Sequence, residues 1–281
     1  FIDRSSPEYV VVLGGARIYK MDYAAMVSYH EKSGASCTIA VRNVSLEEAS
    51  RFGIMNTNPD GSVYEFEEKP KVPKSTNASM GIYVFTWKVL REFLIADEED
   101  PNSSNDFGKN IIPKPLESGH KLMAYRFDGY WMDVGTINSL WEANMDLLGK
   151  EPVFDLRGGE HSKIYARNNA YPSSYIDSGA VTVNCFIAEG SNIFGTVRHS
   201  IISIGSYVGE GALVEDSVIM PGAIIESGAI VRHAIIGEDS RICKGAVVGG
   251  AFGPGETKKI SVTRKGAMVE ANTVLLPGEM L

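Results

Sequence analysis

The sequence predicts two domains of different class: an α/β domain over residues 1–148 and a parallel β-helix over residues 161–281, joined by a linker at 149–160. Three observations carry this. Ile202, Val208, Val214, Ile219, Ile225, Val231, Ile236, Ile242 and Val248 follow one another at steps of six, six, five, six, six, five, six and six. That beat is a coil of three short strands per turn of about seventeen residues, each strand sending one aliphatic side chain inward. A sandwich would alternate over longer runs. Ahead of the repeat, strand and helix signals alternate as they do in α/β folds. Between the two patterns, Pro152, Gly158 and Gly159 interrupt both periods.

In chain order, Tyr9–Leu13 is an apolar strand run ended by Gly14 and Gly15. Residues 22–32 read as a helix and 37–44 as a second apolar strand, so strand, helix and strand imply a parallel βαβ unit. A short helical piece at 47–51 precedes a hairpin, 54–57 against 63–67, turned by Asn-Pro-Asp-Gly at 58–61. Residues 80–85 form a strand, 87–95 a helix, 101–106 a polar loop, and 138–148 a helix after a turn at 130–135. In the repeat, an earlier run of Ile176, Thr182, Ile187 and Ile193 joins imperfectly to the main one, and the period count gives roughly four turns. Gly190, Gly205, Gly211, Gly222, Gly228, Gly237 and Gly245 mark tight corners.

Composition narrows the partners. A net charge of −8 argues against nucleic acid or an anionic membrane surface as the partner, although a local pocket can differ in sign from the whole. No apolar run approaches membrane-spanning length. Cys37, Cys185 and Cys243 are isolated and odd in number, which fits a reducing cytoplasm. The chain opens on Phe1, so it reads as a fragment or a mature form.

Seven motifs in order carry a resemblance: IYKMDY (18–23), EASRFGI (48–54), FEEKP (66–70), ASMGIYVF (78–85), NDFG (105–108), YWMDVGT (130–136) and WEANMD (141–146). Together they resemble bacterial glucose-1-phosphate adenylyltransferase, also called ADP-glucose pyrophosphorylase, and the repeat resembles that family's hexapeptide β-helix. The resemblance implies a nucleotidyltransferase-like (Rossmann-like) domain, N-terminally truncated, followed by a left-handed parallel β-helix. It also implies a cytoplasmic, oligomeric enzyme of glycogen synthesis, with ATP and glucose 1-phosphate as substrates, Mg²⁺ as cofactor and a tetramer of like or related subunits.

In that reaction the sugar phosphate attacks the α-phosphoryl group of ATP, a step that needs cations and firm positioning more than covalent help from the protein. Lys69 resembles the residue contacting the sugar phosphate, Glu68 the sugar-hydroxyl acceptor, Ser79 a further sugar ligand, and Gly53 a backbone close to the glucose. Asp106 resembles a sugar-binding carboxylate. Asp133 resembles one of two metal-holding carboxylates, a hard oxygen donor suited to Mg²⁺. Each has a plainer alternative. A Glu-Lys pair is commonly solvated surface, Ser79 a small residue beside a strand, and Gly53 a turn. Asp106 and Asp133 could cap the helices that follow them.

Two departures separate the chain from the family pattern. Where the family has Gly-Asp-His after the first strand here, with the Asp as second metal ligand, this sequence has Gly15, Ala16 and Arg17, and Met132 stands where a basic residue is common. The family's glycine-rich phosphate loop is expected upstream of Phe1, since Gly14 and Gly15 are too short to replace it. A catalytically impaired regulatory or sugar-phosphate-binding subunit of the same enzyme is therefore the alternative. A hexapeptide acyltransferase working through His199 or His233 is weaker, because those histidines read as surface residues of the coil and the first half would have no role. A mannose-1-phosphate guanylyltransferase, which shares the architecture, is remoter still.

Overall fold

The computed structural model describes residues 1–156, 164–165, 170–253 and 255–281. Gly158 and Gly159 of the expected linker lie outside the described residues. The chain divides into two compact units, Phe1–Trp131 and Met132–Leu281.

The first unit is built on a sheet of six strands. β1 (Tyr9–Leu13), β2 (Arg17–Tyr19), α1 (Tyr23–Ser33), β3 (Cys37–Asn43), α2 (Leu46–Ala49), β4 (Gly53–Thr57), β5 (Val63–Glu68), β6 (Asn77–Thr86), α3 (Trp87–Glu98), α4 (Pro113–Glu117) and β7 (Leu122–Arg126) follow in order. The strands pair as β5-β4-β6-β3-β7, with β1 also on β6 and β2 outside the sheet. The expected βαβ unit is split. β1 and β3 both run antiparallel to β6, so they are parallel to each other but β6 lies between them. The hairpin at 54–67 forms as expected.

β6 is central because its sequence suits burial on both faces. Ala78, Met80, Ile82 and Val84 pack with Met26, Ile54 and Trp131, while Tyr83 and Phe85 pack with Ile39, Met55, Leu90 and Ile111 on the other side. The helices start where their caps allow. Asp22 accepts the amides of Ala24 and Ala25 at the head of α1, Gly34 (φ 61°) ends it, and Ser45 with Glu48 forms a capping box on α2. Among the described residues no helix is long and apolar enough to cross a membrane.

The second unit is a parallel β-helix with one helix packed on it. Its short strands form three parallel sheets of six, five and six strands. Through the main repeat register partners lie 17 positions apart, as in Ile202, Ile219 and Ile236, or Val208, Ile225 and Ile242. All the aliphatic residues of the main repeat are buried in one core. The count of four turns was short. Ser261–Thr263, Met268–Val269 and Val274–Leu275 add a further turn after the segment 250–260, which breaks the period and hid it. Ile176, in the first described coil, is exposed rather than inward. α5 (Ile137–Met145), capped by Thr136 and Ser139, lays Trp141 and Met145, together with Leu148 just beyond it, against Val218, Ile235 and Ile260. His233 is therefore not a surface residue. It is buried against Trp141 (ring centroids 5.8 Å) and Phe252 (5.0 Å), because α5 and Phe252 cover its corner. His199 stays partly exposed, 2.6 Å from Asp216.

Ile225 and Ile236 are fully enclosed, so Ile225→Asp or Ile236→Asp buries an unpaired charge and costs roughly 4 kcal/mol or more. Melting of either variant at the parent temperature contradicts this register. His30, in the first unit, is buried between Thr38 Oγ1 (2.9 Å) and Thr86 Oγ1 (3.2 Å), and burial pushes its imidazole below the ordinary value of 6.5. The unfolded chain takes up a proton near that value while the folded chain resists it. Stability from the neutral ring is therefore full above it and declines as pH falls through it. Urea unfolding is expected to show a larger advantage of the parent over His30→Gln at about pH 7.5 than at about pH 5.5. An advantage that does not change with pH contradicts the assignment.

Candidate functional site

One edge of β6 is shared by two strands that do not meet. β4 reaches it only at Ala78, through Ile54, and β1 only from Ile82 onward, through Leu13. Ser79, Met80 and Gly81 lie in the gap. On the other edge, β3 passes from Ile39 to Val41 while β6 passes from Tyr83 to Ser79, a bulge that crowds extra residues into β6. Gly81 sits at φ 71°, a conformation that glycine adopts without strain, and its carbonyl receives the Gly14 amide at 2.9 Å. The Ser79 hydroxyl accepts the Gly81 amide at 3.2 Å and donates to the Tyr83 phenol at 3.3 Å. Burial pushes that phenol up to about 12, so it stays neutral.

A cavity of about 520 Å³ opens at this gap. Its walls come from the end of β1 (Val12, Leu13, Gly14), the approach to β4 (Arg51, Phe52, Gly53), the end of β5 (Glu68, Lys69), β6 (Ser79, Gly81, Tyr83) and the loop at Asp106–Gly108, with Arg17 alongside. Crevices where strand partners change are the usual ligand sites of open α/β sheets.

The Glu68 carboxylate is set between two glycines. Gly53 pairs with Glu68 in the β4–β5 ladder, and a side chain at Gly53 would meet Phe66 Cζ at 2.6 Å and Glu68 Oε2 at 2.9 Å. At Gly108 an added Cβ would collide with Glu68 Oε2. Burial raises the Glu68 carboxyl above its ordinary range, Lys69 opposes that, and the Asp106 charge adds to it. Asp106 itself caps a wide helical turn, Phe107–Ile111, by accepting the Lys109 amide at 2.9 Å, so it is both a cap and part of the wall. Lys69 has a left-handed backbone (φ 47°) ahead of Pro70, its amide bonds to Phe52 O at 3.1 Å, and its side chain is 64% exposed. A non-glycine residue held there stores strain on the order of 1–3 kcal/mol, a pattern that concentrates at binding sites.

Gly53, Glu68, Lys69, Ser79 and Asp106 thus meet at one cavity. Asp133 is not among its lining residues and belongs to the second unit, where its Oδ1 accepts the Gly135 amide at 3.1 Å. The cap of α5 is Thr136, not Asp133. Ala16 lies in the exposed turn after β1, its carbonyl accepting Arg17 Nη1 at 2.9 Å. Among the described residues no group of three or more His, Cys, Asp or Glu side chains forms a metal cluster. Sequence reasoning missed Arg51 and Tyr83 as wall residues and noted Arg17 only as a departure. Arg51 and Tyr83 sit inside the quoted motifs, and Arg51 stands two positions before Gly53, which was the available signal.

Comparison with known proteins gives matches for both units. The family model described as nucleotidyl transferase matches residues 1–150, and the one described as GlmU-like, C-terminal hexapeptide matches residues 173–269. The second match agrees with the left-handed coil expected from the repeat. A glucose-1-phosphate adenylyltransferase of Clostridium perfringens (strain SM101) is 57% identical over 249 residues, which is 89% of this chain and 64% of that protein. Others so named are 51% identical over 78% of the chain in Clostridium botulinum (strain Alaska E43) and 46% identical over 89% in Acetivibrio thermocellus, covering 56% and 58% of those proteins. The chain thus spans less than two thirds of the length of the curated relatives it matches. The nucleotidyl transferase match covers 150 of the 281 residues and holds every strand that walls the cavity, and the chain belongs to the nucleotidyl transferase family.

Proposed function

We propose that this chain is the sugar-phosphate-binding and β-helical part of a glucose-1-phosphate adenylyltransferase, which makes ADP-glucose and pyrophosphate from ATP and glucose 1-phosphate for glycogen synthesis. The observation that supports it most is the convergence of Gly53, Glu68, Lys69, Ser79 and Asp106 on one cavity at the β6 gap. The reading is of a glucose ring lying between the Gly53 and Gly108 backbones, with Glu68 and Asp106 accepting its hydroxyl protons and Ser79 completing the ring contacts. Lys69 meets the phosphate, where a mobile ammonium suits a dianion. Held there, a phosphate oxygen attacks the α-phosphorus of ATP as the bond to the departing pyrophosphate breaks, and the protein's part is to align and to neutralise charge.

Nucleotidyltransferases of this kind generally use a divalent metal. In our reading it is Mg²⁺, which Asp133 would hold through a hard carboxylate oxygen. Bound there, the ion would neutralise phosphate charge. Ala16 has no carboxylate to add a second ligand. For assembly we propose a tetramer of like or related chains in the cytoplasm. Among the described residues of the coil, Tyr175, Ile176, Val181, Val183, Met268 and Val274 are exposed, apolar surface of the kind that favours association.

Two substitutions test the pocket. Lys69→Ala is expected to weaken glucose 1-phosphate binding by about 1.5–3 kcal/mol in calorimetry without lowering the melting temperature. Unchanged affinity removes Lys69 from the site. Gly108→Ala is expected to displace the flexible Glu68 carboxylate, so affinity falls roughly tenfold while the fold is kept. Full affinity in that variant would place the sugar elsewhere.

A further inference from the structure

α3 ends in a buried carboxylate. Asp97 is 2% exposed, pairs with Lys114 Nζ at 2.6 Å, and accepts the Ser103 hydroxyl at 2.8 Å and the Asn105 amide group at 3.4 Å. The Lys114 ammonium, bonded to it, holds its carboxyl below the ordinary range, so it is charged. Lys114 is 30% exposed, so only the carboxylate is buried; the best-attested use of such a pair is to fix one arrangement among several.

What this pair fixes is the loop that carries Asp106. Ser103 and Asn105, both bonded to Asp97, are the residues that set the chain's direction just before Asp106. Asn105 has a left-handed backbone (φ 54°), and its amide bonds to the Ser103 hydroxyl at 3.0 Å. The Asp106 amide then bonds to Asn110 Oδ1 at 3.2 Å, and Asp106 caps Lys109. Two positions further on, the Gly108 backbone lies against Glu68. The chain from Asp97 to Glu68 is thus continuous in hydrogen bonds and contacts.

We infer that Asp97 is a positioning residue. Charged and paired with Lys114, it holds the loop at residues 103–105 so that Asp106 and Gly108 face Glu68 across the sugar side of the cavity, while the phosphate side at Lys69 is independent of it. The ligand named here rests on the functional reading above; the positioning itself does not.

The experiment compares the parent chain with Asp97→Asn, which keeps shape and removes charge, and with Ser103→Ala, which removes one bond and leaves no charge unpaired. Calorimetry measures affinity for glucose 1-phosphate and for inorganic phosphate, and amide hydrogen exchange is followed at Lys109 and along Cys37–Asn43. Asp97→Asn is expected to bind glucose 1-phosphate about tenfold more weakly, with inorganic phosphate unchanged within about twofold. Exchange at Lys109 is expected to rise about tenfold with none in β3. Ser103→Ala is expected to move the same quantities about threefold. Wild-type values in both variants overturn the inference. So does a parallel loss for both ligands with faster exchange throughout the sheet, which is the signature of a merely structural role. If the parent does not prefer glucose 1-phosphate to inorganic phosphate, the functional reading fails. Lys109 exchange then decides alone: a selective rise supports positioning by Asp97, and no rise overturns it.

Discussion

The site depends on one constraint, the sharing of a single edge of β6 by β4 and β1. Backbone groups left between two such strands need partners, because an unpaired buried amide or carbonyl costs about as much as a lost hydrogen bond. Here the partners are local: Gly14 donates to Gly81 O, and Ser79 accepts from the Gly81 amide. Satisfying the gap this way keeps it open. A third strand residue would close it, and a side chain at Gly81 would strain the φ 71° backbone on which both bonds depend. The cavity is therefore a consequence of strand length and one bulge.

From that gap the remaining wall follows by register. β4 begins at Gly53, its pairing with β5 brings Glu68 opposite, and the next residue, Lys69, is turned by its bond to Phe52 and by Pro70. The net charge of the chain is −8, yet Arg17, Arg51 and Lys69 all line this one cavity, with Glu68 and Asp106 near them. Cations and carboxylates side by side suit a ligand with an anionic end and a hydroxylated end, a sugar phosphate in chemical terms. Burial and Asp106 both lift the Glu68 carboxyl, so its charged form is held less firmly than that of an exposed glutamate.

Much of this was legible in sequence, for a physical reason in each case. The β-helix announced itself because every inward position takes an aliphatic residue and the period leaves few alternatives, as Ile219 and Val231 show. Its last turn was hidden where the segment 250–260 interrupts the beat. The hairpin at 54–67 was marked by its turn chemistry. What could not be read was partner choice. Nothing local in Tyr9–Leu13 or Cys37–Asn43 says that β6 will lie between them, because strand insertion is decided by long-range packing. Gly53, Glu68, Lys69, Ser79 and Asp106 were found through their motifs, but their meeting needed the gap in β6. The roles of Asp97 and of buried His233 were invisible, since each depends on a neighbour brought in by tertiary contact.

A crystal of this chain soaked in glucose 1-phosphate, with the ligand located by difference density, tests the central claim most directly. The account predicts the glucose ring between Gly53 and Gly108 with Glu68 at hydrogen-bond distance, and the phosphate beside Lys69. Density for the sugar phosphate away from the β6 gap, with the gap still holding only solvent, would contradict it.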